Sequence, residues 1–388
     1  GCVMLRGETV LRSGKHFMDG NEACAEGAIA AGCRFVSGYP ITPSTEIVEH
    51  LSRRFPEIGG MFLQMEDELS ASICFQGAVW AGVKGMTVTS GPGFSLMMEH
   101  IGFAAMTETP SVFVNVQRAG PSTGLPTAPA QQDVMQARWG SHGDYGIIAL
   151  SPASPQECHD LIITCFNYAE TYRCPVLFMM DETVGHMHGK VTIPSMEDIH
   201  VVERRISTRS PSDYAPFRVV EGDVPEMTRA GAGHRIHMTG LTHDERGYPD
   251  MTTAAQESLV RRLCGKVNNH VKEISMMESR HVEGSDVVVI SYGISAQIAG
   301  HAVDAVRAAG IRAGQVRLIS LWPFDDEAIR NIARSTRHII VLEMNLGQMV
   351  REVERAVRGI VPVHAVGNAG GRVIAPDCVV EKIREVLR

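Results

Sequence analysis

The sequence predicts an α/β fold built as two blocks in which strands and helices alternate, and three observations support this prediction. Between residues 20 and 195, short apolar runs alternate with helical stretches rich in small residues, which is the pattern of a parallel sheet covered by helices. Residues 197–283 contain four prolines, more charges and few strand-like runs. A second alternating block begins at residue 286. The length of 388 residues fits two or three domains.

The first block predicts strands that are short, β-branched or aromatic, and mostly bounded by Gly, Pro or Ser. They are expected at residues 34–36, 86–89, 112–116, 147–150 and 176–180. The stretches between them predict helices at residues 22–31, 44–55, 66–81, 94–106 and 155–171. The expected first domain therefore covers residues 1–196.

Residues 197–283 are expected to form a linker, within which residues 253–277 predict one amphipathic helix with basic residues along it. Residues 284–388 predict a smaller α/β domain. Its strands are expected at residues 287–291, 316–320, 338–343 and 363–366, and its helices at 294–309, 325–333, 347–357 and 376–387.

Composition excludes several classes of partner. The 36 Lys and Arg against 44 Asp and Glu give a formal charge of -8 without a basic block, so nucleic acid is not expected. Apolar runs stay far below the ~20 residues that cross a bilayer, and residues 1–15 resemble no secretory signal. A cytoplasmic location without membrane contact is therefore expected.

The nine cysteines, including Cys2, lack the C-x-x-C spacing of zinc or iron-sulfur ligands. Free cysteine in a reducing compartment usually behaves as a small buried hydrophobe. We therefore expect reduced thiols and no metal site on this chain, so that any clusters for electron transfer would lie on another polypeptide.

A set of ordered motifs resembles the alpha subunits of 2-oxoacid:ferredoxin oxidoreductases, and most of all the 2-oxoglutarate branch. The motifs are GNEA at 20–23, GYPITPS at 38–44, QMEDE at 64–68, VQRAGPSTGLPT at 116–127 and EMNLGQM at 343–349. The resemblance implies a pyrimidine-type domain of thiamine diphosphate enzymes followed by a domain like the C-terminal one of transketolase.

The same resemblance implies a multi-subunit enzyme. Its reaction is the coenzyme A-dependent oxidative decarboxylation of a 2-oxoacid, here 2-oxoglutarate to succinyl-CoA, with electrons passed to ferredoxin, or the reverse carboxylation. Thiamine diphosphate would be shared with a beta subunit that carries Mg²⁺ and a [4Fe-4S] cluster, and gamma and delta subunits complete many such complexes. The family's Gly-Asp-Gly pattern followed by Asn, which holds Mg²⁺ and diphosphate, is absent from this sequence.

Glu66 is the carboxyl group that the resemblance assigns to catalysis and to the cofactor. Thiamine needs a carboxyl group hydrogen-bonded to the pyrimidine N1′ in a dry place, and Glu66 is expected at a helix start, where a buried acid also gains from the helix dipole. Asp67 and Glu68 are expected only to serve that dipole.

Arg118 and Thr42 are the candidates for binding the substrate. Arg118 follows an apolar strand at the carboxyl end, where ligands bind in open parallel sheets, and its guanidinium can hold a carboxylate through two hydrogen bonds. The resemblance puts Thr42 near the same carboxylate, although its hydroxyl could instead cap the next helix. Pro40, Ile41, Ser90 and Gly91 are assigned to the cofactor.

Alternatives remain open at this stage. The substrate could be a branched-chain 2-oxoacid or pyruvate, and the distal carboxylate of 2-oxoglutarate could be bound by Arg34, Lys84, Arg138 or a beta-chain residue. The chain could also belong to a non-redox thiamine-dependent lyase or a lipoamide-linked dehydrogenase, or it could be an assembly subunit that binds no cofactor.

Overall fold

The computed structural model of the protein describes residues 11–388, so Cys2 lies outside the described residues. The strands, numbered in chain order, are β1 Gly14–Asp19, β2 Phe35–Gly38, β3 Met61–Gln64, β4 Gly85–Thr89, β5 Ser111–Ala119, β6 Leu125–Pro129, β7 Ile148–Leu150, β8 Pro175–Asp181, β9 His188–Ile193, β10 Met277–Arg280, β11 Val287–Ser291, β12 Ala313–Leu318, β13 Ser320–Trp322, β14 His338–Glu343 and β15 Val363–Gly367.

The α-helices are α1 Gly20–Ala30, α2 Thr45–Ile58, α3 Glu68–Trp80, α4 Pro92–Leu96, α5 Met98–Met106, α6 Val134–Trp139, α7 Pro155–Tyr172, α8 Glu182–His186, α9 Thr253–Asn268, α10 Val271–Ile274, α11 Ile294–Ala308, α12 Asp326–Ser335, α13 Met349–Val357 and α14 Pro376–Val386. A 3₁₀ turn covers Met196–Asp198. In residues 11–388, no helix combines the length and apolar character needed to span a bilayer.

A large sheet with the order β13-β7-β8-β5-β4-β2-β3 forms the first domain. Strands β3, β2, β4, β5, β8 and β7 run parallel, whereas β13 is antiparallel to β7. The central strands β5 and β8 are buried along their whole length, because helices cover both faces of a parallel sheet. The sequence missed β3, which carries few β-branched residues and lies at the sheet edge.

Helix α3 begins at Glu68, two residues later than expected. The Asp67 side chain accepts a hydrogen bond from the backbone N–H of Ser70 at 2.7 Å, and the Asp67 N–H donates to the Ser70 hydroxyl. This reciprocal capping box fixes Asp67 as the N-cap. The single helix expected at 94–106 is divided into two helices, α4 and α5, with Met97 between them.

Residues 197–283 pack onto the first domain rather than tethering two bodies. The buried Arg173 donates to the carbonyls of Pro216, Pro225 and Glu226, and the buried Glu108 accepts from Arg262 and Lys266 of α9. These contacts satisfy backbone and charged groups that would otherwise be buried without partners.

The single helix expected at 253–277 is wrong. Helix α9 ends at Asn268, α10 is one short turn, and an extended Ser275 leads into β10. Strand β10 pairs antiparallel with β12 and completes a second sheet of order β10-β12-β11-β14-β15. The expected domain boundary at 283/284 remains a prediction. Strand β10 precedes this boundary in the chain but pairs in the second sheet, and β13 follows the boundary but pairs in the first sheet.

Candidate active site at the carboxyl edge of the large sheet

The predicted site residues follow four adjacent parallel strands. The turn with Pro40, Ile41 and Thr42 follows β2, Glu66 follows β3, and Ser90 and Gly91 follow β4, while Arg118 lies near the end of β5. The carboxyl ends of parallel strands meet at one edge of a sheet, which is where ligands bind in open α/β folds. The structure therefore brings the predicted residues to one edge.

Arg118 is buried, with 5% of its surface exposed, and is held by the backbone around it. Its Nη1 donates to the Thr42 carbonyl at 2.8 Å. Gly91 has φ +48°, and a Cβ there would lie 2.9 Å from the Arg118 Nε, so glycine is needed both for the backbone conformation and for the close approach. Within the described chain, the buried Nε has no hydrogen-bond partner.

Glu68, not Glu66, provides a buried carboxyl group at this edge. Glu68 is 5% exposed, whereas Glu66 is exposed. A Cβ on Gly93 would lie 2.5 Å from the Glu68 Oε1, so the carboxyl group rests against bare backbone. Burial raises the pKa of Glu68, and Asp67 adds to this effect while Arg118 opposes it.

In this chain Glu66 is exposed rather than buried as expected, because helix α3 starts after it, and its catalytic role stays a prediction. The capping box at Asp67 makes Glu68 the first residue of α3, and Glu66 stays in the preceding turn. The spacing of Asp67 and Ser70 is a sequence signal that could have revealed this start.

The other predicted cofactor residues differ in exposure. Ser90 is fully buried, and its hydroxyl donates to the Val116 carbonyl at 2.6 Å, so this side chain joins strands β4 and β5. Pro40 and Thr42 are exposed and Ile41 is half-buried. This turn is therefore open to a ligand or to another chain.

A cavity of about 670 Å³ opens beside Arg118, between the two domains. We call it the interdomain cavity. It is lined by Gly91, Pro92, Ser95, Arg118, Gly120, Pro121, Ser122, Gln132, Asp133, Gln136, Asn345, Leu346, Gln348 and Ala369. Sequence reasoning missed Gln132 and Asp133, because they follow β6 and are brought to the cavity of Arg118 only by the fold. Burial raises the pKa of Asp133 to about 6, although Asn115 and Arg118 lower it.

The EMNLGQM motif fastens the second domain to this cavity. Glu343 is buried and accepts hydrogen bonds from the backbone N–H groups of Gln348, Met349 and Val350, at the start of α13. Asn345 donates to the Gln131 carbonyl at 2.6 Å. The Glu343 contacts satisfy backbone N–H groups at the start of α13 that have no partner within the helix, and the Asn345 contact joins the second domain to the first.

The cations considered for a distal carboxylate lie elsewhere. Arg34 and Lys84 precede β2 and β4, at the opposite edge of the sheet, and both donate to backbone carbonyls. Arg138 stacks on Trp139 at 3.9 Å and donates to the Tyr145 carbonyl. None of the three lines the interdomain cavity.

Comparisons with known proteins agree with this geometry. Residues 26–261 match the family described as "Pyruvate flavodoxin/ferredoxin oxidoreductase, thiamine diP-bdg", and residues 285–379 match "Pyruvate:ferredoxin oxidoreductase core domain II". A 2-oxoglutarate synthase subunit KorA from Methanothermobacter marburgensis is 52% identical over 95% of this chain and 98% of its own length.

Two solved structures resemble the whole chain. A 2-oxoglutarate:ferredoxin oxidoreductase from Magnetococcus marinus, with 2-oxoglutarate, coenzyme A and succinyl-CoA bound, has a TM-score of 0.90 at 31% identity, covering 97% of this chain and 66% of that one. A split-gene transketolase has a TM-score of 0.56 at 16% identity, covering 95% and 96%, and shares the fold. The predicted α/β fold with a transketolase-like second domain is confirmed, and the chain belongs to the 2-oxoacid:ferredoxin oxidoreductase family as an alpha-type subunit.

Proposed function

We propose that this chain supplies the pyrimidine side of the thiamine site in an enzyme that converts 2-oxoglutarate and coenzyme A to succinyl-CoA with ferredoxin as electron acceptor, or runs the reverse carboxylation. The observation that carries the proposal is a buried carboxyl group, Glu68, that interacts electrostatically with a buried guanidinium, Arg118, in the wall of the interdomain cavity. The 52% identical relative named 2-oxoglutarate synthase supports the choice of substrate.

The residues at this edge fit a thiamine pyrimidine. The Glu68 carboxyl group hydrogen-bonds no side chain in residues 11–388 and lies against Gly93, whose missing Cβ leaves room. When bound, thiamine diphosphate supplies the carbon nucleophile that adds to the oxo group. Glu68 holds the proton that the pyrimidine N1′ requires, and its burial keeps water from competing for that hydrogen bond. We assign this role to Glu68 in place of Glu66.

Arg118 and the turn after β2 orient the substrate. The contact between Nη1 and the Thr42 carbonyl fixes the guanidinium, and its remaining N–H groups bind the 1-carboxylate of the oxoacid. This arrangement holds the neighbouring oxo group in a single orientation, which lowers the entropic cost of the reaction. Thr42 therefore acts mainly through its backbone, and its exposed hydroxyl is free to add a contact.

Among the described residues, Arg118 is the one cation that lines the interdomain cavity. The distal carboxylate of 2-oxoglutarate must therefore be bound by uncharged hydrogen-bond donors or by another chain. Gln132 fits this requirement, because its Oε1 accepts from the Gly120 N–H at 2.7 Å while its two amide N–H groups have no partner among the described residues. A residue of the beta subunit is the other candidate.

A beta subunit completes the site. Apolar side chains are exposed on edge strand β3 and on α3, next to the proposed cofactor position: Met61 (54%), Leu63 (38%), Leu69 (40%) and Ile73 (39%). Such a patch beside an open site is typical of a protein interface. In residues 11–388, no group of three or more His, Cys, Asp or Glu side chains could hold a metal ion. We therefore assign Mg²⁺ and the [4Fe-4S] cluster to that partner, with gamma and delta subunits as further components.

The test is an assay of the complex recovered with this chain from its native cells. Reduction of a viologen dye would be measured with coenzyme A and a panel of 2-oxoacids. Activity with 2-oxoglutarate in preference to pyruvate and branched-chain oxoacids supports the proposal. Preference for one of those would change the substrate, and a cluster-free complex without dye reduction would favour the lyase or lipoamide-linked enzyme.

A further inference from the structure

The charges around the interdomain cavity do not favour a bound anion. Arg118 contributes one positive charge, whereas Asp133 and Glu68, which both interact electrostatically with Arg118, contribute two negative charges when ionised. The lining residues of the second domain, Asn345, Leu346, Gln348 and Ala369, are uncharged. A 2-oxoacid adds at least one more negative charge in a partly buried site, where repulsion between like charges is strong.

Asp133 is built into this site by its neighbours. Its Oδ2 accepts from the Asn115 Nδ2 at 2.9 Å, and its backbone N–H donates to the Gln117 Oε1 at 3.3 Å. Both partners are fully buried on β5, the strand that carries Arg118. The Asp133 carboxyl group is therefore fixed on the cavity wall, where the positive charge of Arg118 lowers its pKa against the effect of burial.

We propose that Asp133 takes up a proton from solvent when the carboxylate of the oxoacid binds beside Arg118, so that substrate binding is linked to pH. The carboxylate gains one proton from water and becomes a neutral acid that can donate a hydrogen bond to the bound anion. The proton returns to solvent when the site empties, and no other bond changes. This inference rests on the proposed function, because it takes the cavity to be the oxoacid site.

The surroundings of Asp133 support this choice over Glu68. Burial raises the pKa of Asp133 to about 6, within reach of physiological pH. The charged group that acts on Asp133 is Arg118 from β5, Glu68 from α3 acts on the same Arg118, and the second domain lines the cavity only with neutral groups. Glu68 is already assigned to the pyrimidine.

The experiment measures proton uptake by the complete enzyme complex. N-oxalylglycine, a non-reacting analogue of 2-oxoglutarate, would be titrated calorimetrically in two buffers of different ionisation enthalpy, from about pH 5 to about pH 8.5. We expect uptake of up to about one proton per site above about pH 6 and little below about pH 5, where Asp133 is already protonated. We expect D133N, which is neutral at every pH, to bind without proton uptake.

Asp144 supplies the matched control, because it is exposed and lies outside the lining of the cavity. D144N should keep the wild-type uptake. The apparent Kd of the wild type should rise by up to about tenfold per pH unit above about pH 6, whereas that of D133N should change less than about twofold. Unchanged uptake in D133N, or loss of uptake in E68Q instead, would overturn the inference.

The outcomes separate this inference from the proposed function. A wild-type complex that neither binds the analogue nor turns over any 2-oxoacid would contradict the proposed function. A complex that does both without proton uptake above about pH 7 would contradict only the role of Asp133. If D133N fails to assemble, the pH dependence of uptake by the wild type still decides, because uptake that persists undiminished at about pH 5 excludes Asp133.

Discussion

At the scale of single residues, two glutamates separated by one position differ in what they can do. Glu66 is exposed in the turn after β3, and Glu68 is buried in the first turn of α3. Only a buried carboxyl group keeps its hydrogen bond to a ligand free of competition from water. The carboxyl group that is buried in this chain is therefore not the one that the resemblance suggested.

Exchanging each glutamate for glutamine tests this assignment. We expect E68Q to lower kcat by at least about 100-fold, in the range for losing an acid-base group, while the complex stays assembled. E66Q, two positions away, is the matched control and should keep near-normal turnover. The measurement is viologen reduction by the two purified complexes. Loss of activity in E66Q with full activity in E68Q would return the role to Glu66.

Arg118 allows a second test at this scale. We expect R118A to lower kcat/KM for the oxoacid. The decrease should correspond to a loss of about 2 to 4 kcal/mol of transition-state stabilisation, because a charged hydrogen-bonded contact is lost. R118K should recover little of this loss, since an ammonium group cannot make the paired contact. Steady-state kinetics over a range of oxoacid concentrations provide the measurement. An unchanged kcat/KM in R118A would assign Arg118 to structure.

At the scale of elements, buried ion pairs dock α9 against the first domain. The fully buried Glu108 accepts from Lys266 Nζ at 2.8 Å and from Arg262 Nη2 at 2.6 Å. Burial alone would raise the pKa of Glu108, but Lys266 and Arg262 together hold it below its usual range. The residues expected to be a linker are therefore a fixed layer on the first domain.

We expect E108Q to destabilise the chain by about 3 to 5 kcal/mol, because it leaves Lys266 and Arg262 buried without their anion. E257Q, which breaks the exposed pair with Arg261 on α9, should change stability little. The measurement is the free energy of unfolding from urea denaturation at neutral pH. Equal losses of stability in E108Q and E257Q would contradict this prediction.

The pH dependence of the same docking follows from the lowered pKa of Glu108. Its contribution to stability should be fully present above the unfolded-state pKa of about 4.3 and should be lost as the pH falls below that value toward the folded one. In E108Q this component of acid unfolding should disappear. Parallel acid-unfolding curves for wild type and variant would contradict it.

At the scale of the whole molecule, the proposed function gives this chain one side of the thiamine site and assigns the other side to a partner subunit. We expect the isolated chain to bind thiamine diphosphate at least about 100-fold more weakly than the complex does, because the contacts to the diphosphate would come from the partner. Calorimetric titration of both preparations with thiamine diphosphate and Mg²⁺ would measure the difference. Equal affinity would contradict the assignment of the diphosphate site to the beta subunit.

The sequence by itself determined the α/β class, the two alternating blocks and most strands of the two sheets. Strands β11 and β14 have the predicted bounds, because a continuous β-branched run is a local signal. The sequence also placed the turn at 38–44, Gly91 and Arg118 at the carboxyl ends of predicted strands, where ligands bind in open parallel sheets.

Only the tertiary structure decided which carboxyl group is buried, what lines the cavity and how the domains join. The burial of Glu68 depends on Gly93 and on the start of α3. Asp133 and Arg118 interact although they belong to different elements, and no periodic pattern in the sequence predicts such an interaction. Strand β13 returns to the first sheet and β10 joins the second. These features come from contacts between residues distant in sequence, whereas propensity and periodicity carry only local information.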